Sequence, residues 1–156
     1  MKHDLRIVDR GSWIVVAAAL LALALAPAAS GLSPGLSTVR VSQADLSASP
    51  RATKLGGVTV YTARLSNRGE ALGSSILACT FLGSGGVRGG GTSWCSGSYS
   101  LPQGTLLAQG ILRTRSFYQL VVIGGTGIYA NVVGTLVVST VGASREQLIF
   151  SLQALA

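Results

Sequence analysis

Along most of the chain, apolar and polar side chains alternate in short runs, and glycine, proline, serine or asparagine breaks the pattern at intervals of roughly 8 to 15 residues, as expected for strands joined by tight turns. The runs span Val58 to Leu65, Ala71 to Leu82, Thr92 to Leu101, Thr105 to Leu112, Ser116 to Ile123, Ile128 to Thr140 and Gln147 to Ala154. Thr38 to Ser42 is a possible eighth. No stretch after Ser30 keeps an i, i+3, i+4 apolar pattern long enough for a helix. The connections are short throughout, which predicts an all-β antiparallel meander. Closing it into an eight-stranded, up-and-down, lipocalin-like β-barrel would remove the exposed edges. Gly69, Gly73, Gly97, Gly110 and Gly134 lie within or beside strands, where glycine weakens pairing unless a bulge or a tight barrel corner requires it.

One stretch, residues 119 to 138, can be read in two incompatible ways. Gly125-Thr126-Gly127-Ile128-Tyr129-Ala130 matches the dinucleotide fingerprint G-x-G-x-x-A, which needs a helix directly after it. The next residues are instead Val132-Val133-Gly134-Thr135-Leu136-Val137-Val138, β-branched and interrupted by glycine. The remaining chain is also too short for the rest of a nucleotide-binding sheet. Gly124, Gly125, Thr126 and Gly127 are therefore read as a hairpin turn, with the glycines supplying positive φ.

The first thirty residues stand apart. Lys2, Arg6 and Arg10 precede an uncharged run from Trp13 to Ala26 that ends at Pro27, followed by small residues. This is a signal-peptide layout, and the run is shorter than the roughly 20 residues that span a hydrocarbon core. The predicted organisation is a signal segment over 1–30, a flexible linker ending in an edge strand over 31–54, and a barrel over 55–156. Secretion is expected, to the apoplast or cell wall of a plant or outside a bacterial cytoplasm, with membrane contact only through the signal segment.

After residue 30 there are nine basic side chains and three acidic ones, Asp45, Glu70 and Glu146. The basic residues are spread singly, which argues against nucleic acid as a partner. Attraction to an anionic cell wall or membrane surface is the plainer explanation for them. The only histidine is His3, inside the signal segment, so a Ser-His-Asp triad is excluded. No metal site and no cofactor are expected from two cysteines and three scattered carboxylates. Glu146 stands beside Arg145 at the start of a strand, where a surface ion pair is the expectation.

Cys79 and Cys95 each lie eight residues from Val87, the centre of a glycine-rich loop. In a symmetric hairpin they face one another at about 4.5 to 5.5 Å between Cα atoms, compatible with a disulfide. Two cysteines in an exported chain favour that pairing over a free thiol.

With strands and turns placed, three segments resemble the allene oxide cyclase and dirigent superfamily. They are Cys79-Thr80-Phe81, the run Trp94 to Gly110 with its Leu101-Pro102-Gln103-Gly104, and Val122 to Ala130 followed by Gly134. The similarity covers about residues 69 to 152, and its most specific part is the Gly-Gly-Thr-Gly turn with an aromatic two residues on. The resemblance implies an eight-stranded antiparallel barrel, assembly as a homodimer or homotrimer, and an apolar or phenolic small molecule bound in the barrel mouth. Val133 stands where many dirigent-like sequences carry a basic residue, and Asn131 where plant cyclases often carry an acidic one.

Such a barrel holds a reactive substrate in one folded conformation, which requires shape more than nucleophiles. Tyr61, Arg64, Tyr99, Arg113 and Tyr118 combine an apolar body with a polar tip and are the expected ligand-binding residues. Tyr61 and Arg64 point to opposite strand faces, so one of that pair at most lines the interior. The expected activity is a cyclase-type or stereochemistry-directing one without metal or redox cofactor. The alternatives are a non-catalytic carrier of an apolar ligand or a wall-associated structural protein. An interior packed solid with leucine, valine and phenylalanine would favour the structural role.

Overall fold

The computed structural model describes residues 35–83, 91–113, 116–142 and 144–155. The expected signal segment lies outside the described residues, as do Val87 and the loop around it.

Eight antiparallel strands close into one barrel in chain order, β1 pairing with both β2 and β8. They are β1 Leu36–Ala48, β2 Val58–Asn67, β3 Glu70–Gly83, β4 Thr92–Leu101, β5 Gly104–Leu112, β6 Phe117–Gly125, β7 Val132–Val141 and β8 Arg145–Ala154. The period-two reading finds its cause in the burial: β2 buries Thr59, Tyr61, Ala63 and Leu65 and turns the residues between them outward.

Two boundaries differ from expectation. The segment assigned to a flexible linker ending in an edge strand over 31–54 holds a full barrel stave and not an edge: the strand read over Thr38 to Ser42 extends over Leu36–Ala48, and Leu36 to Gln43 pair residue by residue with Gln153 to Glu146. Only Val39 and Val41 mark its inner face as apolar, because the next inward residue is Gln43. The turn after β6 is shifted from Gly-Gly-Thr-Gly to residues 126–131: Gly124 and Gly125 are the last residues of β6, paired with Leu107 and Leu106, and β7 begins at Val132 and not Ile128, after one turn of 3-10 helix at Gly127–Tyr129. Gly127 and Asn131 both take left-handed φ (63° and 60°), which breaks the extended path and folds Tyr129 under the barrel as a buried plug. The turn is tied to the neighbouring β4–β5 turn by Thr126 N donating to Thr105 O (2.8 Å) and Ile128 N donating to Gln103 O (3.1 Å).

Most of the barrel is filled. Leu65, Leu106, Leu120, Val122, Val132, Leu136, Val138, Leu148, Phe150 and Leu152 are all buried inside it. Interior glycines make room for neighbouring side chains: the space a Cβ would take at Gly97 is occupied by the Tyr99 ring and Leu77, and at Gly110 by Leu120. At Gly134 a Cβ would overlap the Ser151 carbonyl, so β7 can approach β8 there only without a side chain. The end closed by Leu72, Leu101, Ile128 and Tyr129 is apolar. The other end is where the polar residues go inward.

Candidate functional site at the barrel mouth

The open end collects the last residues of β1, β3, β5 and β7 and the first residues of β2, β4, β6 and β8. Gln43 on β1 and Glu146 on β8 are direct cross-strand partners, so both side chains enter the barrel together. Both are buried, and Gln43 Nε2 donates to Glu146 Oε2. The other end of the same amide accepts from Ser75 Oγ at 3.2 Å, across β2, whose inward residue Ala63 is small enough to let the glutamine pass. A carboxylate, an amide and a hydroxyl therefore form one buried chain whose members satisfy one another.

Three tyrosines stand around it. Tyr61, Tyr99 and Tyr118 are each at most 9% exposed and belong to one cluster with the core. Tyr99, on the strand position paired with Ser75, lies back over Gly97 toward the mouth and meets the Phe150 ring edge-on at 5.3 Å between centroids. Burial pushes the Tyr99 phenol well above its ordinary range, and the nearby Tyr118 and Glu146 push it the same way. A phenol held neutral in this way donates a hydrogen bond without giving up its proton, which suits a carbonyl or ether oxygen that gains negative charge in a reaction.

The space around this cluster is unequal. Within it, bounded by Gln43, Leu46, Tyr61, Ser75, Leu77, Tyr99 and Tyr118, about 10 Å³ is open, no more than one water could use. Above it lies a cavity of about 530 Å³ floored by Gln43 and Glu146 and walled by Asp45, Leu46, Thr140 and Arg145. A third space of about 190 Å³ adjoins Tyr61 on the far side, under Arg51 and Arg113. Leu46 is common to the tight space and the large one. It sits in a bulge of β1, where pairing with β2 skips from Ala44 to Ser47 and Asp45 takes a φ of 55°. Among the described residues no group of three metal-ligating side chains occurs.

The five residues expected to bind ligand divide cleanly. Tyr61, Tyr99 and Tyr118 converge on the mouth cluster. Arg113 is exposed at its rim, lining the smaller cavity. Arg64 does not face the barrel: it projects from the outer wall and lies 3.8 Å from Asp45, both side chains largely exposed, as the alternation with the inward Tyr61 demands. Glu146 corrects the opposite way, since it is a buried partner of Gln43 and not a surface ion pair with Arg145. Gln43 and Ser75 carry no sequence motif that marks them as site residues. Cys79 and Cys95 are cross-strand partners joined in a disulfide, with Cα atoms 4.1 Å apart, the register that symmetry about Val87 predicts.

The family model for the allene oxide cyclase barrel-like domain matches residues 37–152, a span that runs from β1 to β8. The chain belongs to that family. No curated protein matches the sequence. Among solved structures, this allene oxide cyclase-like barrel is similar to a pyocyanin demethylase, at 23% identity over 76% of this chain and 100% of that one, with a TM-score of 0.62. It is also similar to a nonspecific haem-binding cyclase that catalyses a cycloaddition in neoabyssomicin biosynthesis (17% identity, 100% of this chain and 85% of that one, TM-score 0.63). A Diels–Alderase from Streptomyces koyangensis shares the shape at 13% identity over 77% of this chain and 64% of its own, with a TM-score of 0.61. At these identities the similarity establishes the barrel fold of the family member described here.

Proposed function

We propose that this protein is an exported barrel that receives an apolar or phenolic small molecule in its mouth and directs a cyclisation or a stereoselective coupling. The observation that carries the proposal is the buried chain Glu146–Gln43–Ser75 with Tyr61, Tyr99 and Tyr118, set beside open cavities in a barrel whose other buried side chains, Thr59 apart, are apolar among the described residues. Burying such groups costs free energy that a purely structural plug of leucines would avoid. The large cavity falls within the usual 300 to 1,000 Å³ or so of small-molecule sites. Two of the structural neighbours are described as cyclisation catalysts, which supports the same class of chemistry. On this reading Tyr61, which also lines the smaller cavity, meets the substrate with its ring, Tyr99 and Tyr118 back it through the hydrogen-bonded mouth cluster, Glu146 at the floor of the large cavity accepts a hydrogen bond or stabilises developing positive charge, and the reaction needs no metal or redox cofactor. The active form is a homodimer or homotrimer.

The packed interior favours a second reading, a barrel that carries a ligand at its mouth or serves a structural role at the cell wall without catalysis. Incubation of the exported chain with radical-coupling and cyclisation substrates, with chiral product analysis, separates the two. A product ratio that departs from the uncatalysed one, and returns to it with Glu146→Gln, supports direction of the reaction. Binding without any change in product ratio supports the carrier, and no binding supports the structural role.

A further inference from the structure

The smaller mouth cavity differs from its neighbour in charge. Among the described residues its charged wall residues are Arg51 and Arg113, and no carboxylate lines it. The larger cavity mixes Asp45 and Glu146 with Arg145. Among the described residues the one ion pair between side chains joins Arg64 to Asp45, so neither arginine of the smaller cavity is neutralised that way.

The segment carrying Arg51 is pinned in place. Ser49 N donates to Val60 O (2.9 Å) and Ala52 N to Thr59 Oγ1 (2.8 Å), while Gly56 N donates to Phe81 O and Phe81 N to Gly57 O. Arg113 arrives from another direction, directly after Leu112 at the end of β5. Between them the cavity offers the Thr59 and Ser93 hydroxyls and the rings of Tyr61 and Phe81, in about 190 Å³, the volume of roughly six waters. Two guanidiniums beside two hydroxyls and two aromatic rings form a receptor for an anion carried on a ring-bearing body.

We propose that this cavity holds a carboxylate on the ligand, clamped by Arg51 and Arg113. The inference rests on the mouth-binding reading and narrows it to acidic apolar substrates. It also sets their direction: the carboxylate lies under the arginines and the body packs on Tyr61, the one tyrosine of the mouth cluster that lines this cavity, while the space at Tyr99 and Tyr118 is left to no more than a water.

The test compares 3-phenylpropanoate with 3-phenylpropanamide, equal in size and differing in charge, by calorimetric titration of the full chain at low and high salt. The carboxylate should bind about tenfold more tightly than the amide, with the advantage shrinking at high salt. Arg51→Gln and Arg113→Gln should each reduce that preference severalfold and together abolish it, whereas Arg68→Gln, on the β2–β3 turn at the opposite end, should leave it intact. Equal binding of acid and amide, or a preference that survives the double substitution, overturns the clamp while leaving mouth binding standing. Binding of neither probe overturns both.

Discussion

Tyr99 can lie along the inner wall because residue 97 on the same strand face has no side chain, and its phenol thereby reaches the mouth from a strand position deep in the core. That placement couples stability to pH. The Tyr99 phenol stays neutral in the folded chain above the value of 10.0 at which an exposed tyrosine ionises, so its contribution is complete below that pH and is lost as pH rises past it. Denaturation midpoints should fall on the alkaline side, with a slope near 1.4 kcal/mol per pH unit from this residue. Tyr99→Phe should flatten the curve, and an unchanged slope would show that the phenol ionises freely. Tyr118 belongs to the same cluster and, under the proposed function, is the residue whose hydroxyl tests selectivity. With its hydroxyl removed by Tyr118→Phe, the protein should remain folded by circular dichroism while product selectivity drops about tenfold, since one hydrogen bond near 1.4 kcal/mol decides a ratio of that size. Full selectivity in the folded variant would remove Tyr118 from the site.

At the scale of elements, the disulfide between β3 and β4 closes a loop across a sequence separation of 16 residues beside the cationic cavity. Cys79→Ala should lower unfolding free energy by about 2 to 4 kcal/mol in urea titrations, and a loss within error would mean the strand pairing alone holds that end of the barrel. Six strands are legible from alternation to within two residues at either end, because a half-buried strand writes its inner face at every second position. The same rule explains the residues that alternation does not reveal. Beginning the last strand at Gln147 leaves Glu146 outside it, although Glu146, Leu148, Phe150 and Leu152 share one face. Gln43 escapes notice because it continues Val39 and Val41 on a strand with too few apolar residues to declare itself. A strand that carries polar residues inward looks like a linker, so the mouth of this barrel, with its candidate site, is its least readable part. The disulfide register needs no such reading, since it comes from counting residues about Val87.

For the whole molecule, closure removes every strand edge among the described residues and leaves side chains on the outer wall as the remaining surface for association. That wall is uneven. Strands β4 to β7 contain no Asp, Glu, Lys or Arg, and their outer faces, with that of β3, expose Ile76, Trp94, Leu107, Ile111, Val121 and Ile123. Trp94 and Ile111 are cross-strand partners, and Val121 neighbours Leu107 and Ile111 through its pairing with Gln109, so these apolar positions adjoin one another across β4 to β6, with Ser98 between Leu107 and Ile76. The charges of the described chain fall elsewhere, on β1, β2, β8 and the turns, apart from Glu70 at the first residue of β3. A charge-free apolar band on a monomer exposes a surface that association would cover, and copies of this chain meeting there would bury it while keeping the mouths open. Light scattering on size-separated protein should give a dimer or trimer mass. Trp94→Lys, which places a charge that cannot be paired within the band, should shift it toward monomer with the mouth's ligand affinity unchanged, whereas a wild-type chain that is already monomeric at high concentration would remove the band from any interface between copies.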